Sequence, residues 1–70
     1  MTAREWVELF ADELGAKGPS GEEFAGILKL AAEAAHSSER TAAPVACWVA
    51  ARTGRPLDEL LEVAARTGGA

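Results

Sequence analysis

Cysteine occurs once in this chain, at Cys47, and histidine once, at His36. A single thiol forms no internal disulfide and builds no multi-thiolate zinc site. Cations are also scarce. Seven Lys and Arg stand against eleven Asp and Glu, for a net charge of −4 and a pI of about 4.8. That balance disfavours nucleic acid, whose binding needs clustered cations against phosphates. It equally disfavours an anionic membrane surface. Long apolar runs are missing too. The longest uncharged apolar run, Ala42 to Ala51, has ten residues, whereas a bilayer-spanning helix needs about 20. The opening residues, Met1 to Glu8, carry acids where a signal peptide would have an apolar core. A cytoplasmic location is therefore expected. No catalytic set, metal cluster or glycine-rich nucleotide loop can be read, so no enzyme activity, metal or cofactor is expected.

β-branched residues are too sparse to suggest a strand, and sixteen of the seventy residues are Ala, the best helix former. Residues 1–70 read as a single helical domain. The pattern predicts an all-α, compact array of four short helices at about 3–14, 21–36, 42–53 and 57–66. The first opens on the capping box Thr2-x-x-Glu5. Ala3, Trp6, Val7, Phe10 and Leu14 form its inward stripe, Arg4, Glu8 and Asp12 face water, and Gly15 ends it. The second opens on a capping box at Ser20 and Glu23. Phe24, Ile27, Leu28, Ala31, Ala34 and Ala35 are placed inward. Glu22, Gly26, Lys29 and Glu33 are placed outward, with Lys29–Glu33 as an i,i+4 pair. The third helix, capped by Thr41 with Pro44 in its first turn and closed by Gly54, is apolar on all sides. Such a helix belongs inside, so helix 3 is expected to be central and buried. The fourth buries Leu57, Leu60, Leu61 and Ala64, adds a Glu62–Arg66 pair, and ends at Gly68 and Gly69. Leu9, Leu30 and Val63 fall on helix shoulders.

Two places carry functional-looking side chains. The corner between helices 2 and 3 brings His36, Arg40 and Thr41 to a helix N-terminus, where free N–H groups and the helix dipole favour an anion. These three residues are candidate ligand-binding groups, with Ser37 or Ser38 beside them. Ordinary capping accounts for the same residues. Trp48 and Arg52, i,i+4 on helix 3, are a candidate partner surface, because Trp and Arg are enriched in binding hot spots. A core Trp covered by an arginine stem is the plainer alternative. Cys47 reads as a buried, inert residue.

The text from Leu30 to His36 (Leu-Ala-Ala-Glu-Ala-Ala-His), then Arg40-Thr41-Ala42-Ala43-Pro44-Val45, resembles a small bacterial helical domain of unknown function. So does the amphipathic Glu5-Trp6-Val7-Glu8-Leu9 segment. The resemblance covers nearly the whole chain. The family pattern often has proline where Thr41 stands and a bulkier apolar residue where Val45 stands. That domain occurs alone or fused to a nucleotidyltransferase-like domain linked to guanylylation of the molybdenum cofactor (molybdopterin-guanine dinucleotide synthesis). The transferase's glycine-rich loop is absent from this sequence, so the resemblance implies the pathway and not the activity.

The sequence thus leads to a non-enzymatic accessory or protein-interaction module, associated through the resemblance with molybdenum-cofactor biosynthesis. Its expected partner is a protein, with a molybdenum-cofactor nucleotidyltransferase as the named candidate and a homodimer as a further form. The alternative is a protein that binds a small anion or phosphate ligand at the helix 2–helix 3 corner.

Overall fold

The computed structural model describes residues 1–68. It is all-α, with four helices: α1 (Ala3–Glu13), α2 (Gly21–Ser37), α3 (Ala42–Thr53) and α4 (Leu57–Arg66). Gly69, expected to help end the last helix, lies outside the described residues. Both expected capping boxes form. The Thr2 hydroxyl accepts from the Glu5 N–H at 3.1 Å while the Glu5 carboxylate accepts from the Thr2 N–H at 2.7 Å. Ser20 and Glu23 repeat the arrangement at 3.1 and 2.8 Å. Each box satisfies two backbone donors that the first turn cannot.

The C-terminal signals also work. Gly15 takes a left-handed φ of 69°. Its N–H donates to the Asp12 carbonyl, and the Ala16 N–H donates to that of Ala11, the double bond of a Schellman stop. Gly54 ends α3 at the same φ. There the Thr53 hydroxyl donates to the Ala50 carbonyl at 2.7 Å and accepts from the Arg55 N–H at 3.2 Å. That bridge turns the chain into α4.

The centre of the array is α2, against which both α3 and α4 pack. Helix 3 is therefore not the buried centrepiece that its composition suggests, and none of its residues is fully buried. The reason lies in side-chain size. Its half-covered residues are Ala42, Ala43, Ala46, Cys47 and Ala50, while Val45, Trp48 and Val49 are exposed. Small side chains let two helix axes approach closely. The alanine side therefore takes the contact, and the large side is left outside.

The same inversion corrects α2. Leu30, placed on a shoulder by the sequence pattern, is the most buried apolar side chain at 6% exposure. Gly26, placed toward water, is buried beneath Leu57 of α4. Ile27 and Leu28, placed inward, are exposed. In α4 the expected stripe holds: Leu57, Leu60, Leu61 and Ala64 are all half-buried. The expected Lys29–Glu33 and Glu62–Arg66 pairs do not form. Among the described residues the one ion pair is Arg55–Glu59, at 3.5 Å between exposed groups.

Helix α1 is set apart from this three-helix body. Arg4, Glu8 and Ala11 fall on one side of it by helical spacing, and that side meets the rest of the chain. Ala11 is its buried residue, the Arg4 guanidinium lies 5.4 Å from the Phe24 ring centre, and the Glu8 carboxylate lies against Gly18. Trp6, Phe10 and Leu14, expected inward, face out. The molecule measures 40 × 23 × 18 Å with a radius of gyration of 12.7 Å. No helix among the described residues is long and apolar enough to cross a membrane.

Candidate functional site

Two surfaces, on α1 and α3, carry most of the large exposed apolar side chains; Met1 and the α2 residues Ile27 and Leu28 are the others. On α1, Trp6 and Phe10 stack one turn apart, with ring centres 5.0 Å apart and planes at 25°. Leu14 continues the row one further turn along, and Leu9 flanks it. Trp6 is 55% exposed and Phe10 50%. The pair is held by its i,i+4 spacing.

On α3 the exposed surface is Val45, Trp48, Val49 and Arg52. The Arg52 guanidinium lies over the Trp48 ring at 4.6 Å from its centre. The contact foreseen between these two residues is present, and the reading of Trp48 as a core residue is not, since Trp48 is 62% exposed. A stacked guanidinium holds the indole in one orientation at a cation–π gain of about 0.5–1 kcal/mol. Val45 and Val49 also line a groove of about 500 Å³ between α2, α3 and α4, whose other walls include Leu30, Ala34, Leu60 and Val63. The apolar surface of α3 thus continues into a groove lined mostly by aliphatic side chains.

The corner is built differently. His36 lies in the last turn of α2, and Arg40 and Thr41 form a turn ahead of α3. All three are exposed, and none lines the large apolar groove, although Ser37 and Ser38 do. Thr41 has helical backbone angles and makes no side-chain capping bond. Its expected role as a side-chain cap is therefore corrected. The turn itself caps the helix: the Ala42 N–H donates to the Glu39 carbonyl at 2.9 Å and the Ala43 N–H to that of Arg40 at 3.1 Å. Pro44 has no N–H to offer. Three of the backbone donors that an anion would use at a helix start are thus occupied or absent.

Cys47 is half-buried rather than buried and lines a second groove with Ile27, Leu30 and Leu57. Burial pushes its thiol above the ordinary value, which lowers the thiolate fraction at neutral pH. Among the described residues no three His, Cys, Asp or Glu side chains come together in a way that would hold a metal.

The α1 surface was missed from the sequence. Its row of large apolar residues reads as a core stripe, and only the small residue at Ala11 hints that the opposite side makes the contact. Neither a curated protein nor a solved structure matches the chain. A family model matches residues 1–67, nearly the whole length, in line with the resemblance noted from the Ala-His and Arg-Thr-Ala-Ala-Pro segments. The chain belongs to the family described as domain of unknown function DUF6457.

Proposed function

We propose that this domain is a protein-interaction module that works through the outward faces of α1 and α3. One observation carries the reading. On α1 and α3 the fold covers Ala11, Ala42, Ala43, Ala46 and Ala50 and leaves uncovered Trp6, Phe10, Leu14, Val45, Trp48 and Val49. Scattered exposed apolar residues are ordinary. Two tryptophans, each paired with a second side chain on a defined helix face, form an interaction patch. A non-enzymatic accessory role fits this distribution of side chains. The resemblance to domains joined to a molybdenum-cofactor nucleotidyltransferase nominates such a transferase as a partner.

Photo-crosslinking from positions 6 and 48, with Glu22 as a control position, tests the interaction role. Adducts with a defined protein from positions 6 and 48, and none from 22, are expected. Equal labelling from all three positions, or from none, refutes it. Titration with a purified molybdenum-cofactor guanylyltransferase separately tests the named partner. The absence of binding heat at 100-fold below millimolar protein, about 10 μM, removes that partner and leaves the role standing. The anion-binding alternative at His36, Arg40 and Thr41 has its own test, amide shifts on titration with inorganic phosphate or GTP. It is abandoned if residues 36–43 do not respond.

A further inference from the structure

We infer that the two uncovered faces are complementary to each other, and that α1 of one copy docks on α3 of a second copy, reciprocally, to form a closed dimer. This inference rests on the interaction role proposed above and names the partner as this same chain.

The first argument is area. A folded monomer of 7.3 kDa is expected to expose about 4,200 Å². This chain exposes 5462 Å², an excess of about 1,300 Å² over that scaling. If each of two copies covers its excess, the interface totals about 2,600 Å², within the range of roughly 2,000–5,000 Å² typical of obligate homodimers. The shape agrees. The radius of gyration is 12.7 Å, against about 11 Å for a globule of this length.

The second argument is charge. Away from the side where Arg4 and Glu8 meet the rest of the chain, the α1 segment, residues 3–14, carries Glu5, Asp12 and Glu13 and no base. Residues 40–56, which span α3, carry Arg40, Arg52 and Arg55 and no acid. Arg55 is paired with Glu59, and Arg52 stands at the C-terminal end of the exposed face, over Trp48. The last turn of α1 has no base, so Asp12 and Glu13 lie unrelieved beside the negative end of the helix dipole. A cationic face from outside the chain relieves that strain. An acidic helix with an apolar row at i, i+4 and i+8 therefore meets a basic helix with an apolar face that runs into a groove. This is the helix-in-groove mode of recognition.

The third argument is symmetry. The same chain carries both halves, and two reciprocal α1–α3 contacts about a twofold axis leave neither half uncovered.

Charge-exchange variants test this directly. One carries Asp12→Lys with Glu13→Lys, and the other Arg40→Glu with Arg52→Glu. Each alone places like charges in both contacts, whereas a one-to-one mixture restores opposite charges in both. Sedimentation velocity over a concentration series should show a wild-type dimer and a dissociation constant raised about tenfold in either variant alone. The mixture should return to wild-type affinity. Trp6→Ala should weaken the dimer by about 100-fold or more, and circular dichroism will verify that α2–α4 stay helical.

Two results overturn the inference: a wild-type chain that stays monomeric at high concentration, or a dimer insensitive to these changes and not rescued by mixing. In the monomeric case, tryptophan quenching separates this inference from the broader role. Quencher-accessible tryptophans would refute only the second copy as partner. Protected tryptophans in a monomer would refute the interaction surface itself.

Discussion

Replacing Gly26 by alanine sets two known effects against each other at one position. In an exposed helix interior, Gly→Ala stabilises by about 1 kcal/mol, because alanine loses less backbone freedom on folding. Gly26 is not exposed. A Cβ built there would overlap the Cδ2 methyl of Leu57 and lie 3.0 Å from its Cγ. To fit, the first turn of α4 must shift or Leu57 must leave its rotamer. Overpacking of this kind costs about 1–3 kcal/mol, so the net expectation for Gly26→Ala is a loss of about 1 kcal/mol. Truncating the opposing side chain reverses the sign. In a Leu57→Ala background the three atoms nearest the new methyl are gone, and Gly26→Ala should then stabilise by about 1 kcal/mol. The full cycle needs four chains, each unfolded in urea and followed by circular dichroism at one fixed protein concentration, since self-association would shift the midpoints. A coupling of about 2 kcal/mol is expected. In thermal melts the single change should lower Tm by about 4–8 °C. If Gly26→Ala raised stability equally in both backgrounds, α4 would not sit on α2 at Gly26, and the reasoning would fail.

The caps give a second expectation. Thr2→Ala and Ser20→Ala should each cost about 1 kcal/mol, whereas Thr41→Ala should cost almost nothing, because its hydroxyl makes no capping bond; chemical denaturation distinguishes these outcomes. The Glu5 carboxyl is held below the usual carboxylate range by the Thr2 backbone N–H and then by the Thr2 hydroxyl. A lowered folded pKa gives stability above the unfolded value that is lost as pH falls through the folded one. The protection factors of the amides at the start of α1, exchange rates corrected for the intrinsic pH dependence, should therefore fall below about pH 4, where carboxylates protonate, and Glu5→Gln should flatten that response. With its thiol pushed up by burial, Cys47 should react with a disulfide reagent at pH 8 more slowly than a free cysteine, and at the free rate once urea unfolds the chain. Removing the guanidinium with Arg52→Ala should free the Trp48 ring, visible as reduced fluorescence anisotropy.

Much of the local structure was legible in the sequence. The two boxes at Thr2 and Ser20, the stops at Gly15 and Gly54, and the α4 stripe all follow from residues within four positions of each other. The orientation of α1 and α3 was not legible, and that of α2 only in part: Phe24, Ala31, Ala34 and Ala35 are half-buried as expected, Ile27 and Leu28 are not. Apolarity signals an inward side, and in these helices side-chain size decides instead. Gly26 and Ala46 are covered, while Leu28 and Trp48, far more apolar by area, turn outward. A wheel drawn from one helix does not reveal this, because the choice depends on the depth of the neighbouring surface. The corner at His36, Arg40 and Thr41 was legible as a set of residues. The turn bonds that occupy the Ala42 and Ala43 donors were not, since they depend on the path of four loop residues.

The alanine side of α3 has a further consequence in conformational entropy. Alanine has no side-chain rotamers to lose, whereas fixing longer side chains costs up to about 2 kcal/mol each. A helix contact made from Ala42, Ala43, Ala46 and Ala50 therefore forms almost without side-chain ordering. Apart from the Trp6–Phe10 and Trp48–Arg52 pairs, which hold each other, the outward side chains keep their rotamer freedom on folding. Its loss is deferred to the moment something covers them. Folding and docking in this chain are thus separate entropic events, and the second can remain reversible while the first is complete.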